Sequence, residues 1–171
     1  MHPSAQKVAQ AAQQLNLHVE IIEFDQTTRS AQEAAAAIGC QVAQIVKSLC
    51  FVVAERPIIA LVSGANQLDE RKLAQLYDVS RKKVKRADAE TVKTATGFAI
   101  GGVPPFGHSA SLPVYVDADL LQFEVVWAAA GTPYAVFAIR PDDLVRASQG
   151  MVADLKQGAA SVSNSLTNYK P

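Results

Sequence analysis

The sequence predicts a single α+β domain built on a mixed or antiparallel sheet. Three observations point there. Strand-like runs outnumber helix-like runs and often follow one another directly, unlike the strict alternation of a doubly wound sheet. Two apolar runs, 46–53 and 58–63, are separated only by Ala54-Glu-Arg-Pro57, the spacing of a hairpin. The chain has 171 residues, 49% hydrophobic and 19% charged, which is enough for one core and too apolar for disorder.

The elements follow in order. Residues 4–16 place Val8, Ala11, Ala12 and Leu15 on one helical face, with Ser4 as the expected cap. Residues 18–24 alternate as a strand, with Val19, Ile21 and Phe24 as its inward positions. Ser30-Ala-Gln-Glu33 is a capping box that opens an alanine-rich helix, and Gly39 ends it. One further turn is expected over 41–45, then the hairpin. A short helix follows over 68–77 with Leu68, Leu73 and Leu76 inward, and Asp88 caps another that stops at Gly97. Residues 98–100, 113–116, 123–129 and 135–139 read as strands, and Pro141 suits the first turn of a helix running to about Ser148. From Gly150 the hydrophobicity fades. The expected organisation is one domain over 1–150 and a C-terminal tail over 151–171.

Composition excludes several classes of function. The 16 basic and 16 acidic residues cancel, so nucleic acid can be met only by a local patch. Two cysteines are too few for a secreted disulfide scaffold. No apolar stretch has the length of a membrane span, and residues 1–7 have no signal-peptide core, so a cytoplasmic protein without membrane contact is expected. His2, His18, His108 and the two cysteines lack metal-ligand spacing, and neither a dinucleotide fingerprint nor a Walker loop is present. Neither metal nor cofactor is expected.

Two features carry the chemistry. Lys47 stands alone in Ile45-Val-Lys-Ser-Leu-Cys-Phe-Val-Val53, both faces of which are otherwise mostly apolar. A lysine there either snorkels to water or waits at a pocket mouth for a carboxyl, phosphate or developing oxyanion. Gly97-Phe-Ala-Ile-Gly-Gly-Val-Pro-Pro-Phe-Gly-His108 packs four glycines and two prolines into one stretch. It is either a tight turn or a stiff wall that presents amides to a substrate oxygen. His108 is a loop residue or an acid–base group, and Cys50 reads as core. Arg71, Lys72, Arg81, Lys82, Lys83, Lys85 and Arg86 gather seven of the 16 basic residues into residues 71–86. That cluster is a solvated face or a phosphate contact, with Tyr77 as the one aromatic nearby.

In order along the chain stand Ile45-Val-Lys-Ser-Leu49, Thr96-Gly-Phe-Ala-Ile-Gly-Gly-Val-Pro-Pro-Phe-Gly107, Leu112-Pro-Val-Tyr-Val-Asp117 and Ala129-Ala-Gly-Thr-Pro-Tyr-Ala-Val-Phe-Ala-Ile139. With the hairpin and the alanine-rich helix, this order resembles the YbaK/EbsC family, which includes editing domains associated with prolyl-tRNA synthetase. The resemblance spans roughly residues 4–147. It implies a barrel-like mixed sheet flanked by helices, and hydrolysis of the ester joining a wrong amino acid to its tRNA. The implied partners are the acceptor end of a mischarged tRNA, such as the tRNA for proline, and an aminoacyl-tRNA synthetase. The family's lysine matches Lys47, its Gly-x-x-x-Pro loop matches Gly101 to Pro105, and its later glycine matches Gly131.

The resulting assignment has Lys47 holding the substrate and the Gly101 and Gly102 amides holding the carbonyl, at about 3 kcal/mol per oxyanion donor. Ser48 and Asp117 orient the α-amine or a water, Pro105, Phe106 and Gly131 complete the substrate wall, and Arg81, Lys82, Lys83, Lys85 and Arg86 meet the tRNA. Water or a substrate group attacks. Members that remove cysteine carry Ser-Gly-Gly where this chain has Ala129-Ala-Gly131, which leaves the amino acid open. Two other classes compete: a binding module without turnover, and a Schiff-base enzyme using Lys47.

Overall fold

A helix starts where its first free N–H groups find acceptors. In the computed structural model, which describes residues 1–25 and 30–158, helix α1 (Pro3–Gln14) is capped by His2, not Ser4. The Ser4 N–H donates to His2 Nδ1 at 3.0 Å, and Pro3 takes the first position, where a missing N–H costs nothing. Strand β1 (Ile21–Glu23) is shorter than the run expected over 18–24. Helix α2 (Ala31–Ile38) has half of its expected box: Ser30 Oγ accepts the Glu33 N–H at 3.0 Å, the Glu33 carboxylate accepts from the Ser30 hydroxyl at 3.2 Å, and Gly39 ends the helix at φ 86°.

Strands β2 (Ile45–Val53) and β3 (Arg56–Ser63) form the hairpin, turning on Ala54 and Glu55 at φ 48° and 72°. Two left-handed residues in a two-residue loop match the twist of the strands, a geometry usually left to Asn or Gly. Such a loop makes its closing pair, Val53↔Arg56, a hydrogen-bonded one. Odd-numbered residues of β2 therefore aim N–H and C=O at β3, and even-numbered residues aim theirs at the other edge. Two bonds on that other edge agree: Ala54 N–H to Lys83 O and Ala87 N–H to Cys50 O, both 3.0 Å. Pro57 faces Val52 at a position where β2 needs no donor from it.

Helix α3 (Glu70–Leu76) is capped by Asp69. It buries Leu73, whereas Leu76 is exposed and Leu68 lies before the helix, bridged to Lys156. The basic run holds a strand that its charge conceals, β4 (Val84–Arg86), antiparallel to β2. After α4 (Ala89–Thr96), residues 98–100 are not the expected strand. Gly97 reverses the chain at φ 84°, and Thr96 Oγ1 accepts the Phe98 N–H at 3.0 Å, folding Phe98 into the core. Strands β5 (Val114–Asp117) and β7 (Ala135–Ile139) and helix α5 (Pro141–Ser148) fall where expected, whereas β6 (Val126–Ala129) starts three residues later than the run expected over 123–129. Strand β8 (Met151–Ala153) runs parallel to β5, and Leu155 is fully buried. Ordered structure thus extends past the tail boundary expected at 151, because β5 offers a free edge and Leu155 fills the core beneath it. Residues 159–171 of that tail lie outside the described residues.

The eight strands make one mixed sheet, ordered β1-β7-β6-β2-β3-β5-β8, with β4 added beside β2. Helices α1, α4 and α5 pack with Val46, Cys50, Ile59, Leu61, Val116 and Phe137 as the main core. Helix α3 packs the second core, around Phe51, Val53, Ile58, Val62 and Leu155. Helix α2 closes a third, small cluster with Ile45 and Trp127. Along the free edge of β2, β6 reaches only Ile45 and Val46, and β4 begins only at Phe51. The site lies in the gap between them.

Candidate active site

A cavity of about 300 Å³ opens at that gap. Lys47, Ser48 and Leu49 of β2 line it, together with Arg86 of β4 and with Ile100, Gly101 and Val103 of the glycine–proline loop. Ala128 and Ala129 at the end of β6, with Thr132, Ala135 and Val136, form the back wall. Ser30, Ala31 and Ala34 of α2 close the remaining side. Most of the wall is small and apolar, so charge is concentrated in Lys47 and Arg86.

Lys47 shares a strand face with Phe51, whose ring lies under the Arg86 guanidinium at 5.9 Å. Both cations therefore occupy one side of the sheet. Burial, and after it the Arg86 charge, push the Lys47 ammonium below the usual lysine range, while Asp117 pulls the other way. The Lys47 Nζ donates to the Asn66 carbonyl at 2.5 Å, which holds the chain in place and leaves further N–H groups for a ligand. Ser48 Oγ is buried without a hydrogen-bond partner among the described residues. The nearby thiol is no nucleophile: Cys50 is buried, and burial pushes it up, keeping it protonated.

The loop across the cavity is held by contact between backbones. The Gly102 N–H donates to the Ala99 carbonyl at 3.0 Å, and Gly101 beside it lines the cavity. A Cβ on Gly102 would stand 2.6 Å from the Gly131 carbonyl oxygen, and one on Gly131 would collide with the Ser4 carbonyl of α1. Both glycines let chain segments touch, and neither lines the cavity. Pro105 and Phe106, expected in the substrate wall, are buried, and Phe106 packs on Phe137 with ring centroids 5.6 Å apart.

The family model described as "Aminoacyl-tRNA editing domain" matches residues 25–147. The chain belongs to the aminoacyl-tRNA editing domain family. YwhH of Bacillus subtilis is 30% identical over 132 residues, 77% of this chain and 82% of that protein. EbsC of Enterococcus faecalis, proposed as a Cys-tRNA(Pro)/Cys-tRNA(Cys) deacylase, is 26% identical over 74% of this chain and 76% of its own. A solved structure described as a proposed trans-editing enzyme for prolyl tRNA synthetase superposes with a TM-score of 0.87 at 45% identity, covering 92% of this chain and 99% of that one. The proline–tRNA ligase of Solidesulfovibrio magneticus is 37% identical over 89 residues, and the match spans only 15% of that enzyme. The chemistry of the family is hydrolysis of an aminoacyl ester on tRNA.

Of the residues expected in the site, the editing domain brings Lys47, Ser48, Gly101 and Arg86 together. Asp117 is only 1% exposed and sits behind Lys47. Its Oδ2 accepts the Ser63 N–H at 3.0 Å and the Asn66 side-chain amide at 2.8 Å, and that same amide reaches Asp119 at 2.9 Å. Lys156 donates to Asp119 at 2.9 Å. Asp117 therefore supports the Asn66 carbonyl that holds Lys47 and is not a substrate contact. Sequence reasoning missed Asn66, whose role depends on a contact made by its main chain.

Arg81 is paired with Glu70 at 3.4 Å, and Lys72 with Asp154 at 2.8 Å. Among the described residues Lys82, Lys83, Lys85 and Arg86 are exposed and have no ion pair, so the usable basic track runs along β4 toward the cavity. Helix α2, Trp127 and Thr132 are walls that the sequence does not announce, because nothing local in them signals that place.

His108 has a structural use. Its Nε2 lies 2.7 Å from the Pro104 carbonyl, which can only accept, so the ring carries its proton on Nε2 and staples the loop. Burial pushes His108 below the usual histidine range, ahead of the opposing effect of the Pro104 bond. The folded state then binds fewer protons than the unfolded one. The associated stability is present above the ordinary histidine pKa of about 6.5 and is lost as pH falls through the lower folded value. Melting temperatures measured across that window are expected to fall with pH in the wild type, and less steeply in His108→Gln. Parallel slopes in the two proteins would show that the staple contributes nothing there.

Proposed function

We propose that this editing domain works in trans as a free-standing deacylase, releasing the amino acid from a mischarged tRNA, with the tRNA for proline as the first candidate. What carries the reading is the presence of Lys47 and Arg86 together in the lining of a mostly apolar cavity. Two cations suit the terminal ribose-phosphate, and an apolar wall of small residues suits a small acyl side chain. The Lys47 ammonium fixes the ribose-phosphate or the ester oxygen. The Gly101 amide faces the acyl carbonyl and holds the oxyanion as it forms. Water, oriented by the free hydroxyl of the terminal ribose, attacks the carbonyl carbon, the bond to the esterified ribose oxygen breaks, and that oxygen takes up the proton the water gives, so that the free amino acid leaves. Prolyl-tRNA synthetase is the enzyme whose errors such an activity would correct, by analogy with the relatives.

Ala129 lies in the back wall and brings no hydroxyl, so a thiol-bearing acyl group gains no special partner there. One methylene changes binding in such a pocket by only about 1–3 kcal/mol. Acyl preference is therefore expected to be graded. The test is deacylation of the tRNA for proline charged with proline, alanine, cysteine, serine or threonine. Faster release of at least one wrong amino acid than of proline supports the proposal. Binding without release in every case would favour the non-catalytic module.

The β4 track makes a separate prediction. Replacing Lys82, Lys83 and Lys85 by alanine is expected to flatten the dependence of log K on log salt by about 0.7–0.9 for each phosphate left without its cation. Turnover at saturating tRNA should be unchanged. Salt titrations of tRNA binding read the slope, and an unaltered slope would move the tRNA off this face.

A further inference from the structure

The gap in the sheet leaves one residue with its backbone unused. Even-numbered residues of β2 aim their N–H and C=O at the edge shared by β6 and β4. The β6 ladder ends at Val46↔Ala128, and β4 pairs from Phe51↔Arg86 onward, with the Ala87 N–H taking the Cys50 carbonyl. Ser48 lies between. Its N–H and C=O point into the cavity with no strand partner among the described residues, and its buried Oγ is unpartnered as well. Ser48 is half-buried and its Oγ fully so, and three polar groups of one such residue left open beside a cavity suit a ligand that pairs with them.

We infer that the aminoacyl group docks on Ser48 as a one-residue antiparallel strand, filling the missing place in the sheet. An α-aminoacyl ester carries an ammonium donor and a carbonyl acceptor on one N–Cα–C unit. In an antiparallel hydrogen-bonded pair, one residue exchanges both bonds with one partner residue. A parallel pair would spread the bonds over two residues, which a single aminoacyl group does not have. The Ser48 carbonyl accepts from the α-ammonium, and the Ser48 N–H donates to the acyl carbonyl. Because the pair is antiparallel, the ribose follows in register opposite Lys47, where its phosphate meets the cation. The substrate side chain projects on the same face as Ser48 Oγ, toward the apolar wall. When the nucleophile adds to the carbonyl carbon, the oxygen bound by the Ser48 N–H takes the negative charge. It remains held until the acyl–ribose bond breaks and the ribose oxygen takes up the proton the water gives. Recognition of the α-amino acid is thus carried by main chain, leaving side-chain choice to the wall.

This rests on the deacylase reading, and the test separates the two. The probe is the full chain with the residue-48 amide replaced by an ester, through incorporation of the α-hydroxy analogue of serine, which deletes one N–H and keeps the side chain. Because that N–H bonds no strand, the melting temperature should stay within about 2 °C of wild type, whereas kcat should fall roughly 10²–10³-fold, the loss typical of one oxyanion donor. The same change at Leu49, whose N–H faces β3, should lower the melting temperature. In parallel, a non-hydrolysable 3′-aminoacylamido-adenosine should shift the Ser48 amide resonance downfield, and the 3′-hydroxyacyl analogue should bind at least tenfold more weakly. Wild-type turnover in the residue-48 ester, or analogue binding that leaves the Ser48 amide unmoved, overturns this inference and leaves the deacylase reading standing. A wild type that releases no amino acid from any charged tRNA overturns both.

Discussion

Lys47→Ala should lose deacylation by about 10²–10³-fold while the domain stays folded. The side chain is only half-buried, and among the described residues its one hydrogen bond is to the Asn66 carbonyl, at the edge of a loop. Its removal leaves no charge stranded in the core. What disappears is a cation fixed in the cavity lining, which cannot be replaced from solvent without reorganisation. Lys47→Arg should rescue poorly, since the planar fork does not occupy the ammonium's place. The pH profile gives an independent check. The ammonium must be charged to act, and burial and Arg86 hold it below the usual lysine range. Enzyme-dependent turnover, after subtraction of spontaneous ester hydrolysis, should therefore decline on the alkaline side at a lower pH than an exposed lysine would give. Arg86→Ala removes a repelling charge, so it should move that decline to higher pH. Single-turnover rates from pH 6 to about pH 10 measure both effects. Full activity in Lys47→Ala would take the lysine out of the mechanism.

Gly131→Ala should be the most damaging glycine substitution, at about 3–4 kcal/mol, or a melting temperature lower by roughly 10 °C. Two penalties coincide. Gly131 sits at φ 94°, where an L side chain is strained, and its Cβ would meet the Ser4 carbonyl of α1. Gly102→Ala meets backbone at 2.6–2.8 Å without the φ penalty, and should fall lower on the same scale. Gly101→Ala is the control. It has φ 91°, but its nearest neighbour, Pro133 Cβ, is an ordinary 3.8 Å away. That substitution should cost only about 1 kcal/mol of backbone strain. Chemical denaturation of the three variants reads the order. A Gly131 variant as stable as the Gly101 one would show that α1 does not press on this turn.

The elements legible in the sequence were those whose signal is local. The side-chain N-caps and αL glycines of α2 and α4 act through bonds within a few residues of each other, and the hairpin is declared by two apolar runs with a short break. Strand β4 was hidden because Lys85 and Arg86 face solvent and the cavity, leaving Val84 as its one buried residue. Residues 98–100 looked like a strand because a core-filling Phe98 is apolar in a turn as much as in a sheet. His2 displaced Ser4 as a cap because its ring nitrogen reaches the same N–H. Asp117 was placed among the ligands because a carboxylate at a strand end is common to a site and to its support. Only burial, and the Ser63 and Asn66 bonds, separate the two.

By itself the sequence determined the α+β class, the family, the lone lysine of β2 and the glycine-rich loop that follows it. These depend on residue type and order, which chain physics reads over short spans. The tertiary structure decided which groups face the substrate. It took Gly102 and Gly131 out of the cavity wall as packing contacts, put Arg86 beside Lys47, and left the Ser48 backbone unpaired where β6 ends before β4 begins. No residue type announces that gap. It arises because two strands distant in sequence share one edge of β2 without meeting, and a hydrogen bond left unmade can be recognised only once every neighbour is in place.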